Sequence, residues 1–189
     1  FLYQEYVALK DTVNYVRVLQ NAMMKFPNEP WFLQNLINHY IYSGQQEQAV
    51  SYLNQAIERQ PDMVQYYTIL GRLYNDAKDF DKAKEVFEKA TKIDANSAEA
   101  WAGVGYVYMD KASMMQDKID PKASNKEYDA AMKAIKDTRR QAIPYFEKAH
   151  QLDKENIYYG RNLKSLYYTF NEEPGMMEKY EAITKELNN

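Results

Sequence analysis

Apolar residues recur along this chain at steps of three and four. Leu36 and Tyr40 are followed by Ala49, Leu53 and Ala56. Tyr67, Leu70 and Tyr74 are followed by Ala83, Phe87 and Ala90. Trp101, Val104 and Tyr108 come next, then Ala142, Phe146 and Ala149, and last Leu163, Tyr167, Tyr180 and Ile183. These steps return to one face of an α-helix with each turn, so each run predicts an amphipathic helix with one apolar stripe. Turn-forming residues separate the runs in pairs: Gly44, Lys78-Asp79 and Asn171-Glu172 each fall between two helices.

The stripes also repeat as units. Leu36, Tyr40 and Ala49 fall 34 residues before Leu70, Tyr74 and Ala83. Pro27 and Pro61 keep the same interval. Trp101, Val104, Gly105 and Tyr108 continue the series from Tyr67, Leu70, Gly71 and Tyr74. Then the interval changes. AKEVFEKATKIDANS at 83–97 returns as AIPYFEKAHQLDKEN at 142–156, 59 residues on.

A 34-residue unit of two helices, carrying an aromatic, a Leu-Gly pair, Tyr, Ala, Phe, Ala and a closing Pro, resembles the tetratricopeptide repeat (TPR) family. Tyr67, Leu70-Gly71, Tyr74, Ala83, Phe87 and Ala90 carry the resemblance in one unit, and Trp101, Gly105, Tyr108, Ala142, Phe146 and Ala149 in the next. The resemblance implies an all-α fold, an α-solenoid of antiparallel helix pairs. The units it predicts are a partial repeat at 1–27 with Leu2, Tyr6, Leu19 and Ala22, and repeats at 30–63, 64–97, 98–156 and 157–189. Ile37 and Lys164 stand where the first and last full repeats would carry the small residue. At Lys164 this predicts a wider helix spacing. A lone hairpin cannot bury its stripe, whereas stacked hairpins share one core, with Gly71, Gly105, Ala83 and Ala142 admitting close neighbours.

The longer interval places 25 extra residues between Tyr108 and Ala142. Both sides of the insertion keep a helical period, Ala112, Met115 and Ile119 on one and Tyr128, Met132 and Ile135 on the other. DPKASN at 120–125 supplies the turn. The expectation is a hairpin lengthened on both sides, with its insertion at about 109–133. With about ten residues gained per helix it projects roughly 15 Å, at 1.5 Å per residue. It reads as a strut, an added binding surface or an insertion without a role. Lys133, Lys136, Arg139 and Arg140 make one side basic, and Asp129 and Asp137 balance it as on a solvated helix face. Pro144, inside the register Ala142–Phe146–Ala149, predicts a kink near Arg140 or a new helix near Gln141.

Composition narrows the function. A net charge of −3 argues against a general nucleic-acid binder, and no apolar run reaches the length of a membrane span. Cysteine is absent, which removes disulfides and thiolate chemistry but leaves the compartment open, with periplasm or cell envelope slightly favoured over cytoplasm. His39 and His150 belong to no ligand cluster, and GVG at 103–105 lies within a helix and lacks a phosphate loop's third glycine. No catalytic constellation, metal site or cofactor site is expected. Phe1, Leu2 and Tyr6 open the chain without a signal peptide. They predict an apolar surface covered by upstream residues, another domain or a second copy, so self-association through this end is possible.

In a TPR array the first helix of each unit lines the concave face. The resemblance therefore implies a binding surface at Trp31, Gln34 and Asn38, then Gln65, Arg72 and Asn75, then Tyr106, then Tyr158 and Arg161. Trp, Tyr and Arg are the residues most often found as interface anchors. The carboxylate clamp of chaperone-tail binders is not matched: its places hold Gln34, Asn38, Glu99 and Gly103, or Thr68, Arg72, Tyr158 and Asn162 in the shifted register. Two functions follow. One is a non-catalytic scaffold binding a peptide or protein segment of unknown identity in the groove. The other is the helical-repeat part of a bacterial surface or periplasmic protein that binds a glycan or small molecule.

Overall fold

A computed structural model describes residues 12–26 and 29–188. The surface expected at Phe1, Leu2 and Tyr6, and Pro27, lie outside the described residues. All regular structure among the described residues is helical. Two compact units divide within one helix, between Tyr66 and Tyr67.

The first unit contains α1 (Thr12–Lys25), α2 (Pro30–Tyr42), α3 (Gln46–Arg59) and the first turn of α4 (Val64–Asp76). Glu29 starts α2 by accepting the Trp31 N–H at 3.3 Å, which satisfies one of the amides a helix start leaves unpaired. The stripes read from the sequence are inside: Leu19, Leu36, Ile37, Ala49, Leu53 and Ala56 are buried. Tyr40 stacks on Tyr52 at 5.4 Å, and Gln20 donates to the Tyr52 hydroxyl at 2.8 Å.

The second unit holds the rest of α4 and α5 (Phe80–Ile93), α6 (Ala98–Asp117), α7 (Asn125–Arg140), α8 (Ile143–Leu152), α9 (Ile157–Thr169) and α10 (Met176–Leu187). Side-chain caps start most of them: Asp79 for α5, Ser97 for α6, Ser124 for α7 and Asn156 for α9. Phe80, Ala83, Phe87, Val104 and Val107 form one core cluster, with Tyr74 and Tyr108 half-buried against it. Phe146, Leu163, Leu166, Tyr167, Phe170 and Ile183 belong to a second. Glycines set the spacing. A β-carbon on Gly71 would lie 2.9 Å from the Phe87 ring, and one on Gly105 2.8 Å from Phe146. In the last pair the close approach is at Gly160, one turn before Lys164, where a β-carbon would lie 2.9 Å from Leu187. The wider spacing expected at Lys164 is therefore offset within the same helix.

The inserted segment differs from a symmetrical hairpin. α6 has 20 residues against 13 in α4. The outward side thus gains seven residues, about 10 Å at 1.5 Å per residue. The return side is two helices, because α7 ends at Arg140 and α8 begins at Ile143 with Pro144 in its first turn. Proline lacks the N–H a continuous helix would need there, and its ring would strike the carbonyl four residues back. The chain therefore breaks rather than kinks, closing the last turn through Gln141 N–H to Thr138 O and Ala142 N–H to Arg139 O. At the tip Ser124, not Asn125, caps α7, in a reciprocal pairing with Glu127.

The basic side of α7 is largely tied into the fold. Arg140 forms an ion pair with Glu173 and lies 4.4 Å above the buried Phe170 ring. Lys136 sits 5.4 Å from the same ring, and Arg139 donates to Gln116 at 2.7 Å. These contacts fasten the end of α7 to the turn between α9 and α10. The solvated face balanced by Asp129 and Asp137 is thus confined to the rest of the helix.

Candidate functional site

In the first unit, Trp31, Gln34 and Asn38 follow one stripe of α2. Trp31 is 38% exposed and meets Phe32 edge-on at 5.3 Å, while Phe26 stacks on the other ring at 6.1 Å. Gln34 reaches Asn38 at 3.5 Å. Gln65 is exposed on the first turn of α4.

In the second unit, α4, α6 and α9 together shape a concavity of about 230 Å³. Arg72 and Asn75 reach it from α4, Tyr106 from α6 and Tyr159 from α9. Its floor includes the Phe87 ring, Ala102 and Gly103, where the absence of a side chain on Gly103 leaves the ring exposed to the hollow. Arg72 and Glu99 pair at 3.6 Å on the rim, both more than half exposed. Such a pair contributes roughly 0–1 kcal/mol and opens easily. Deeper, Asn75 is only 8% exposed. Its amide nitrogen donates to Asp110 Oδ2, and its own Oδ1 has no hydrogen-bond partner. The amide orientation is fixed by its neighbour, because an ionised carboxylate only accepts. An unmet buried acceptor of this kind costs about 1–3 kcal/mol.

Burial pushes the Tyr106 hydroxyl above its ordinary value, opposed by a hydrogen bond with Asn162 and assisted by the charge of Asp110. Burial likewise raises Tyr159. Both rings therefore stay neutral across the physiological range and present polarisable faces and a hydroxyl each.

The structure thus brings Arg72, Asn75 and Tyr106 into one hollow. Tyr158 and Arg161 stand beside it on α9, with the Arg161 guanidinium 5.9 Å from the Tyr158 ring. Asp110 and Tyr159 were not singled out in the sequence, although Asp110 falls one turn after Tyr106. Among the described residues no group of His, Cys, Asp and Glu is arranged to hold a metal ion. His39 packs between Tyr15 and Tyr40, and His150 is buried with its Nε2 3.3 Å from Glu186. Gly103 and Gly105 lie inside α6 under Phe87 and Phe146, as packing positions. Among the described residues no helix is long and apolar enough to cross a membrane.

Known proteins agree with this architecture. The crystal structure of MamA superposes with a TM-score of 0.66 at 16% identity, over 99% of this chain and 92% of that one. A MamA fragment from Desulfovibrio magneticus RS-1 gives 0.60 at 15% identity, over 99% and 88%. Human IFIT1, crystallised as a dimer with m7Gppp-AAAA, gives 0.61 at 18% identity, over 92% of this chain and 36% of that one. These likenesses show the fold, an all-α array of TPR helix pairs. Anaphase-promoting complex subunit 3 of Schizosaccharomyces pombe is 30% identical over 81 residues, 43% of this chain. The match spans only 12% of that relative's length. Residues 2–97 match the family described as N-terminal acetyltransferase A, auxiliary subunit. The chain belongs to that auxiliary-subunit family and is a TPR protein.

Proposed function

We propose that this chain is a non-catalytic scaffold that takes a segment of a partner polypeptide on the first-helix surface of the second unit. The observation that supports this most is the hollow itself, where successive first helices deliver Arg72, Asn75 and Tyr106 to one place. Side chains that can grip a backbone and an aromatic wall that can hold an anchor stand together there. Its volume of about 230 Å³ suits one or two side chains. Pockets for whole small molecules usually run from about 300 to 1,000 Å³. Tyr158 and Arg161 extend the surface along α9. In the first unit, Trp31, Gln34, Asn38 and Gln65 are a second candidate surface of the same kind. The family description names an auxiliary subunit and the curated relative is a complex subunit, both consistent with work through binding.

Co-purification from the source cell, compared between the native chain and Arg72→Ala/Tyr106→Ala, tests the reading. A true anchor should weaken capture by at least ~2 kcal/mol while the melting temperature holds. Undiminished capture, or loss matched by unfolding, would move the binding site elsewhere.

A further inference from the structure

We infer that the hollow between α4, α6 and α9 receives a positively charged side chain of the partner polypeptide, held by Asp110 and Asn75 against the Tyr106 ring. The inference deepens the scaffold reading and rests on it for the source of the cation. Three independent features point to a cation. First, Asn75 is 8% exposed, lines the hollow and carries an acceptor with no donor. A ligand group with N–H donors would satisfy it. Second, charge around the hollow is unbalanced, with Glu99 and Asp110 against Arg72 alone. Asp110 spends one oxygen on the Asn75 amide and keeps its other for a ligand. Third, aromatic faces attract cations through their quadrupole, and Tyr106 is held neutral there by burial.

An anion would meet the opposite. Its only cationic partner would be Arg72, already engaged with Glu99 at 3.6 Å. A neutral apolar group would leave the Asn75 acceptor unmet and strip water from Asp110. A lysine ammonium has three donors and an arginine guanidinium five, enough to serve both acceptors at once. Arg72 shields the hollow rather than gripping the ligand, because its charge repels an incoming cation.

The probes are four pentapeptides, acetyl-Ala-Ala-X-Ala-Ala-amide with X as lysine, arginine, norleucine or glutamate, titrated into the whole chain and followed by amide NMR. The lysine and arginine peptides should shift the Asn75 side-chain amide and the Gly103 and Tyr106 backbone amides saturably, about tenfold tighter than norleucine. Asp110→Asn should remove most of that preference. Arg72→Ala, at an exposed position, should tighten the cationic peptides and leave norleucine unchanged. Equal binding of norleucine, stronger binding of glutamate, or no tightening in Arg72→Ala would overturn the inference. A cellular partner still lost on Tyr106→Ala would then show that the scaffold reading stands without it.

Discussion

The ring of Phe87 occupies the space a β-carbon on Gly103 would need: the two would be 2.3 Å apart. Gly71 meets the same ring at 2.9 Å. One phenylalanine of α5 is therefore clasped by glycines of α4 and α6, and it also forms part of the hollow's floor. Gly103→Ala must push the ring or part the helices. Overpacking of this kind costs about 1–3 kcal/mol. Chemical denaturation should show that loss, and Phe87→Leu in the same chain should recover part of it by freeing the space.

The turns between paired helices reuse one backbone shape. Gly44 has φ +72° and Lys78, 34 residues later, has φ +63°. A left-handed conformation strains a side-chain-bearing residue by roughly 1–2 kcal/mol, which glycine avoids. Glycine gives back part of that through greater freedom in the unfolded chain. Lys78→Gly should therefore stabilise the chain by up to about 1 kcal/mol, and Gly44→Ala should destabilise it by a similar amount. Thermal melts of both variants check the pair, and an unstable Lys78→Gly would mean that the lysine makes an offsetting contact.

Tyr167 donates to Glu147 Oε1 at 2.8 Å, and Lys179 reaches the same oxygen at 2.6 Å. Burial, the hydrogen bond to Glu147 and its negative charge all push the Tyr167 hydroxyl above its ordinary 10.0. The folded state thus holds the proton more tightly than the unfolded state. The associated stability is fully present below about pH 10 and is lost as pH rises above it. Tyr167→Phe should cost about 1 kcal/mol at pH 8 and flatten the decline between pH 9.5 and 11. Urea unfolding across that range reads both, and an unchanged alkaline decline in the variant would remove Tyr167 as its source.

Much of this arrangement was visible in the chain before any coordinates. The repeat of Ala83, Phe87 and Ala90 at Ala142, Phe146 and Ala149 located the helix pairs, because packing in a repeated unit makes the same demand at the same register. Pro144 marked the break after Arg140 for a purely local reason. Asp110 was harder to find, since helical spacing after Tyr106 admits both Met109 and Asp110, and only the position of Asn75 on α4 selects between them. The tie from Arg140 to Glu173 and Phe170 was equally hidden, because those partners lie more than thirty residues away and the charges alone resemble a solvated face.

The central claim is that a polypeptide docks on the first-helix surface of the second unit, and site-specific photo-crosslinking tests it most directly. A photoreactive residue replaces Tyr158, 62% exposed beside the hollow on α9, or Tyr128, 48% exposed on α7 of the inserted segment. Both positions are accessible, so reactivity reports proximity to a partner. The account predicts a discrete adduct from position 158 in the source cell, suppressed by Tyr106→Ala, and none from position 128. A strong adduct from 128 with none from 158 would contradict it and assign binding to the inserted segment.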